Sequence, residues 1–300
     1  MFCKSVALFT VFFHLAPCAA LSAASGEAAK EGVRLLVALP KNAAIVGEPI
    51  LATISIRNET GSPLMIADTT ENYRVVSAQL TKLSAKGDMP SPRQIDYLEP
   101  ADEIRQSVQP GEARSIAVDV LDQYIGAIPE GLYELRVRYK PPDSVSGIWH
   151  GSIEVSGIQV SVGTPPQEEL LAAQQFMSGR YSPSRPDSCI KLGAIAEPAK
   201  GGRFADYAGY WEARAWGDKK EYDRAIEASR RYLERHADVP HYGNDIRNWL
   251  SFWLRVTGDL TAARSELLRT PDGFERRMRL KQIDKAIEKR AQERESADKE

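Results

Sequence analysis

One change of hydrophobic period organises this chain. Between about residues 33 and 162 apolar residues recur at every second position, whereas beyond Thr164-Pro165-Pro166 they recur at intervals of three and four. The first period lays side chains on one face of a strand, and the second lays them on one face of a helix. The two adjacent prolines lack the amide hydrogens that either structure needs to continue. The expected fold is therefore multidomain, an all-β unit followed by an all-α unit. Each is expected to have its own core, with the join at residues 163–166.

The β reading rests on particular runs. In the second strand Ile50, Ala52, Ile54 and Ile56 share a face. Near the end of the unit Tyr133, Leu135, Val137 and Tyr139 alternate with Glu134, Arg136 and Arg138. Alternation of this kind marks a half-buried antiparallel strand. Turn signals separate the runs: Gly61-Ser62-Pro63, Gln109-Pro110-Gly111-Glu112 and Pro129-Glu130-Gly131. Seven or so short strands in about 130 residues predict a β-sandwich over residues 33–163. Several of its elements carry a resemblance. They are the Val46-Gly47-Glu48-Pro49 turn, the strand ending in Asn58, the Gly131-Leu132-Tyr133 strand start and the Trp149-His150-Gly151 turn. Together they resemble the immunoglobulin-like domains of exported bacterial proteins, with Ser156-Gly157 where those domains often have Ser-Asn. The resemblance implies a scaffold without shared catalytic residues.

The join predicts a helix start, with Thr164 as N-cap, Pro165 in the first turn and Gln167 closing a capping box. Residues 164–202 read as one short helix to about Phe176 and an irregular connector from Ser178 to Gly202, with one turn of helix near Ile190 to Ala196. Over residues 203–292 the stripes are helical. Phe204, Tyr207, Ala208, Trp211 and Ala215 form the first. Tyr222, Ala225, Ile226, Ser229 and Leu233 form the second. Ile246, Trp249, Leu250 and Trp253 follow, then Leu260, Ala263 and Leu267. Gly217-Asp218 and Gly258-Asp259 are read as breaks. An offset of 38 superposes Trp211 on Trp249. These units resemble tetratricopeptide-type helix pairs, whose repeat is about 34 residues. A last helix with Met278, Ile283 and Ile287 is expected to cap the stack, and residues 293–300 form a charged tail.

The N-terminus reads as a signal peptide over residues 1–24. Lys4 precedes an apolar run at 6–13, and small residues follow. Two cuts are open, after Ala20 or after Ala24. Leu15-Ala16-Pro17-Cys18 resembles a bacterial lipobox in which Cys18 would be lipidated, although Pro17 stands where that pattern has Gly or Ala. Residues 19–32 would then be a tether. The expected location is the periplasm or the exterior, in soluble form, with a lipoprotein as the secondary route. Mean hydropathy of −0.36 and a net charge of −2 point away from a multi-span membrane protein and from nucleic acid as partner.

Catalytic signatures are missing: no phosphate-binding glycine loop, paired-histidine zinc motif or nucleophile elbow occurs in the sequence. His236 and His241, near Asp238 and Asp245, read as a solvated loop. Cys189 reads as a partly buried thiol, and His150 as a turn residue. Asn58-Glu59-Thr60 matches a glycosylation sequon. No cofactor or metal is expected. Trp216 and Phe252 fall off the apolar stripes and are candidate surface anchors. The expected function is a non-enzymatic binding or scaffolding protein of the cell envelope with protein or peptide partners. The alternative is a secreted protease inhibitor or an accessory subunit of an envelope enzyme.

Overall fold

The computed structural model describes residues 23–67, 75–85, 87–92, 105–143, 145–181, 185–236 and 240–297. Cys18 and nearly all of the residues read as a signal peptide lie outside them. An N-terminal β region is followed by a C-terminal helical region.

The first sheet has the order β1-β2-β4-β8, from β1 (Ala24–Lys30), β2 (Val33–Leu39), β4 (Leu51–Asn58) and β8 (Ala113–Asp119). The second has the order β3-β10-β9-β6, from β3 (Ala43–Ile45), β10 (Ile153–Gly163), β9 (Gly131–Tyr139) and β6 (Val76–Ala85). A two-stranded sheet pairs β5 (Leu64–Ala67) with β7 (Arg105–Val108). The alternation predicted for β4 and β9 is present. Ala52, Ile54 and Ile56 are buried, as are Tyr133, Leu135, Val137 and Tyr139, and both sets enter one apolar cluster shared by the two larger sheets. Each large apolar side chain buried in this way contributes roughly 1.5–3 kcal/mol.

Local chemistry explains several turns. The Trp149 indole stacks on Tyr139 with ring centroids 5.8 Å apart. Gly151 lies beneath that indole, and a Cβ there would come within 1.9 Å of it. Tyr133 donates its hydroxyl to the Pro129 carbonyl at 2.6 Å, which holds the start of β9 to the preceding turn. Tyr124 reaches the outer side of β6, where its hydroxyl accepts from the Leu80 amide at 2.9 Å and donates to the Leu80 carbonyl at 3.3 Å. Ser156-Gly157 forms a bulge in β10, with Gly157 at φ 82°. Asparagine also tolerates that left-handed region, so the departure from the Ser-Asn pattern preserves the backbone.

Asn58 is buried and its amide donates to the carbonyls of Ser62 and Val108 at 2.9 and 2.8 Å. Its Oδ1 accepts from the Thr60 amide and hydroxyl, an Asx turn. In the folded chain the sequon nitrogen is therefore out of reach of a glycosyl donor.

The helical region comprises α1 (Leu170–Arg180), α2 (Arg185–Ile190), α3 (Pro198–Gly201), α4 (Ala205–Asp218), α5 (Tyr222–His236), α6 (Pro240–Thr257), α7 (Leu260–Leu268) and α8 (Phe274–Ala297). From α4 onwards each helix packs on the next. The stripe residues Phe204, Ala208, Ala215, Ala225, Ile246, Trp253, Ala263 and Leu267 are all buried in a second cluster. Gly258 takes φ 98° after α6, and Asp259 caps α7 by accepting from the Ala262 amide at 3.0 Å.

Four expectations are corrected. Residues 24–30, read as leader end and tether, form strand β1. It turns into β2 through Glu31 and Gly32 at φ 53° and 76°, the left-handed pair that a two-residue hairpin favours. No capping box forms at the join. Thr164 donates to Glu130 at 3.0 Å instead, and the helix begins in a short 3-10 turn at Gln167–Glu169. The connector is largely helical, and its Cys189, Leu192 and Ile195 belong to the second core. The break read at Gly217-Asp218 is present, α4 ending at Asp218 with Lys220 at φ 63°, and a Cβ on Gly217 would in addition come within 2.2 Å of the Trp253 ring. Finally, α8 continues to Ala297 through most of the expected tail, and Met278 lies exposed on it while Ile283 packs inward.

Candidate functional site

The polar groups that the fold gathers most closely lie where the β region meets the helices. Asp119 ends β8 and caps the 3-10 turn Val120–Gln123, its Oδ1 accepting from the Leu121 amide at 3.0 Å and the Ile50 amide at 3.3 Å. Its Oδ2 accepts from the Arg180 guanidinium at 2.7 Å and the Tyr242 hydroxyl at 2.8 Å. Arg180 closes α1 and also donates to Asp122 at 2.7 Å. Its guanidinium lies 5.9, 5.5 and 5.6 Å from the ring centroids of Phe176, Tyr181 and Trp211. Asp119, Arg180 and Tyr242 are all buried.

A second group forms around Glu48 in the Val46-Gly47-Glu48-Pro49 turn. The Glu48 side chain has no exposure, pairs with Lys41, and accepts from the Ile45 amide at 3.0 Å and from Arg203 at 3.3 Å. Arg203 also pairs with Glu169 at 2.7 Å. Gly47, at φ 89°, lies against Met177 of α1, where a Cβ would come within 2.6 Å of the side chain. Ile45 of β3 belongs to the helical cluster, and Leu51 of β4 packs against it.

Burial sets the titration of these groups. It raises the phenol of Tyr242 well above its ordinary range, and the nearby Asp119 carboxylate raises it further. Tyr210 is raised in the same way by burial and by Asp245, to which its hydroxyl is bonded. For Arg180 burial alone would favour loss of the proton, but Asp119 and Asp122 outweigh it and hold the guanidinium charged. These are the properties of a structural network: the Tyr242 and Tyr210 phenols keep their protons and the Arg180 guanidinium keeps its charge.

The residues predicted from sequence lie elsewhere. Trp216 on α4 is half-buried, with the Arg224 guanidinium 4.6 Å from its ring centroid. Phe252 on α6 is half-buried too. It meets Trp249 edge to face at 6.0 Å and has Arg255 5.5 Å from its centroid. One turn further, Val256 is 47% exposed. Arg214 of α4 lies 4.0 Å from the Trp249 centroid and pairs with Asp245 at 3.4 Å. The Cys189 thiol is buried and donates to the Gly179 carbonyl at 3.3 Å. His236 pairs with Asp206 at 3.2 Å, and Asp245 is engaged by Tyr210 and Arg214, so these two do not converge. Asp238 and the His241 side chain lie outside the described residues. His150 is exposed beside the buried Trp149.

Sequence reasoning did not find the Asp119–Arg180–Tyr242 group. The available signals were a carboxylate directly after the Ile116-Ala117-Val118 run and an arginine closing an otherwise weakly charged helix. Neither residue names its partner.

No family model and no curated protein matches the sequence. Among solved structures, a multi-domain immunophilin from Arabidopsis thaliana aligns at 8% identity with a TM-score of 0.33, covering 81% of this chain and 95% of that one. A polysaccharide lyase aligns at 9% identity with a TM-score of 0.19, covering 81% of this chain and 63% of that one. Both scores are too low to carry an argument about fold or activity. The architecture defines a two-part protein, β region first and helical region second. Among the described residues no helix is long and apolar enough to cross a membrane.

Proposed function

We propose that this chain is an exported, non-enzymatic binding or scaffolding protein of the cell envelope, built from an immunoglobulin-like β-sandwich and tetratricopeptide-like helix pairs, and that its helical half engages a protein or peptide partner. The observation that carries the reading is a patch on α6 beside its buried stripe. Phe252 and Val256 lie one turn apart at the surface, and Arg255 and Arg214 flank the aromatic rings there. Aromatic and arginine side chains at the edge of a rigid scaffold are the composition of interface anchors. The immunoglobulin-like reading is supported by the Tyr133 hydroxyl bound back to Pro129 and by Trp149 packed over Gly151. The tetratricopeptide-like reading is supported by Ala225 and Ala263, small residues with no exposure between consecutive helices.

A photo-crosslinking amino acid at position 256, compared with one at position 125, tests the proposal in cells. Ile125 is 59% exposed in the β region and serves as the control. Discrete crosslinked species from position 256, absent from position 125 and lost on Phe252→Ala, are expected. Equal crosslinking from both positions would count against a partner on α6.

A further inference from the structure

We propose that the buried Asp119–Arg180–Tyr242 group is a latch that makes the β and helical regions open as one cooperative unit. Three observations lead there. First, the contact crosses the join twice. Asp119 belongs to β8, while Arg180 closes α1 and Tyr242 lies in the first turn of α6, at sequence separations of 61 and 123. A tilt of the helices against the sheet would draw both groups away from one carboxylate.

Second, the groups are dry. The Arg180 and Asp119 side chains are 2% and 0% exposed, so separation without water would strand two charges in an apolar setting. Breaking one partner of such a pair is far costlier than the pair's net worth, which gives a contact of this kind an all-or-none character. Domains joined by an ordinary linker move against each other unless the interface forbids it. Here the linker is only residues 164–166, two of them proline, and Thr164 is held by Glu130.

Third, the attachment is duplicated at Glu48 and Arg203, where Ile45 and Leu51 of the β region pack in the helical core. Neither region then has a stable surface to retreat to when the other opens.

Hydrogen exchange of the full chain, followed by mass spectrometry in low denaturant, tests the latch. In the unaltered protein the slowest amides of β4 and β9 should open with the same free energy and denaturant dependence as those of α4 and α6. Arg180→Met should accelerate exchange in both regions together, on the order of 10²- to 10³-fold, since it leaves Asp119 buried and short of its charge partner. Tyr242→Phe removes one oxygen and should accelerate both regions roughly tenfold. If Arg180→Met does not fold, Tyr242→Phe decides the matter. Acceleration confined to one region, or separate opening of the two regions in the unaltered protein, overturns the latch.

Discussion

The β region and the helical region differ in how their charged and phenolic side chains find partners. In the β region the partners are backbone: Asn58 bonds Ser62 and Val108 carbonyls, Tyr133 bonds Pro129, and Tyr124 bonds Leu80. In the helical region the buried hydroxyls of Ser229, Ser251 and Thr270 also bond carbonyls, while the part-buried charged and phenolic groups pair with one another, as in Tyr210 with Asp245, Arg214 with Asp245, and Arg247 with Glu266 at 2.7 Å. The difference follows from the backbone itself. Turns and sheet edges leave amides and carbonyls unpaired, and a nearby side chain can take them. A helix consumes its own amides except at its ends, so short hydroxyl side chains share a helix carbonyl and the longer charged and phenolic ones pair with each other. Asp119 joins the two habits, holding backbone amides with one oxygen and helical side chains with the other.

That contrast can be broken most severely at Asp119. Asp119→Ala should cost about 3–5 kcal/mol, because Arg180 stays buried with only Asp122 opposite it and two amides lose their acceptor. Urea denaturation of the full chain measures it, and a loss below 1 kcal/mol would show that the pair is not holding the interface.

Alkaline pH should give the next largest loss of stability. Tyr207, Tyr210, Tyr232 and Tyr242 of the helical region all have phenols raised by burial. A raised phenol contributes stability that is complete below the unfolded value near pH 10 and is lost as pH rises through the folded value. Each fully buried tyrosine should therefore remove up to about 1.4 kcal/mol per pH unit above that point. Unfolding free energies from pH 8 to 11.5 should stay level to about pH 10 and then fall. A decline that began near neutrality would contradict the assignment.

Two glycines give a finer comparison. Gly151→Ala drives a methyl group into Trp149 and should cost roughly 1–3 kcal/mol as overpacking. Gly217→Ala meets Trp253 in a similar collision, but the helix regains about 1 kcal/mol of propensity, so its net loss should be smaller. Thermal melts of the two variants side by side would reverse this order if the Trp253 contact were the stiffer one. The smallest effect is expected at Arg136, exposed beside Glu134. Arg136→Ala should stay within about 0.5 kcal/mol of the parent, as surface pairs do.

Much of this fold is legible in the sequence where burial is one-sided. β4 and β9 alternate because one face meets the core, and the stripes of α4 to α7 repeat because one side meets the next helix. β1 is illegible for a physical reason. Gly26 sits where a Cβ would come within 2.7 Å of Val155, so the strand contributes backbone and almost no apolar side chain. The connector is legible only at the turn near Ile190 to Ala196, because its buried residues, Cys189, Leu192 and Ile195, are scattered over turns too short to show a period. Among site residues, Phe252 stands out as apolar and off its stripe. Asp119 and Arg180 do not, since a charge in sequence looks the same whether its partner is water or a residue 61 positions away.

The Tyr124 hydroxyl on β6 has a consequence for behaviour at high concentration. An open strand edge is a template on which a second chain can lengthen the sheet, and repetition of that step leads to fibrils. At Leu80 both template groups are already occupied by Tyr124. One phenol therefore denies a docking chain the two backbone groups of Leu80, near the middle of the strand.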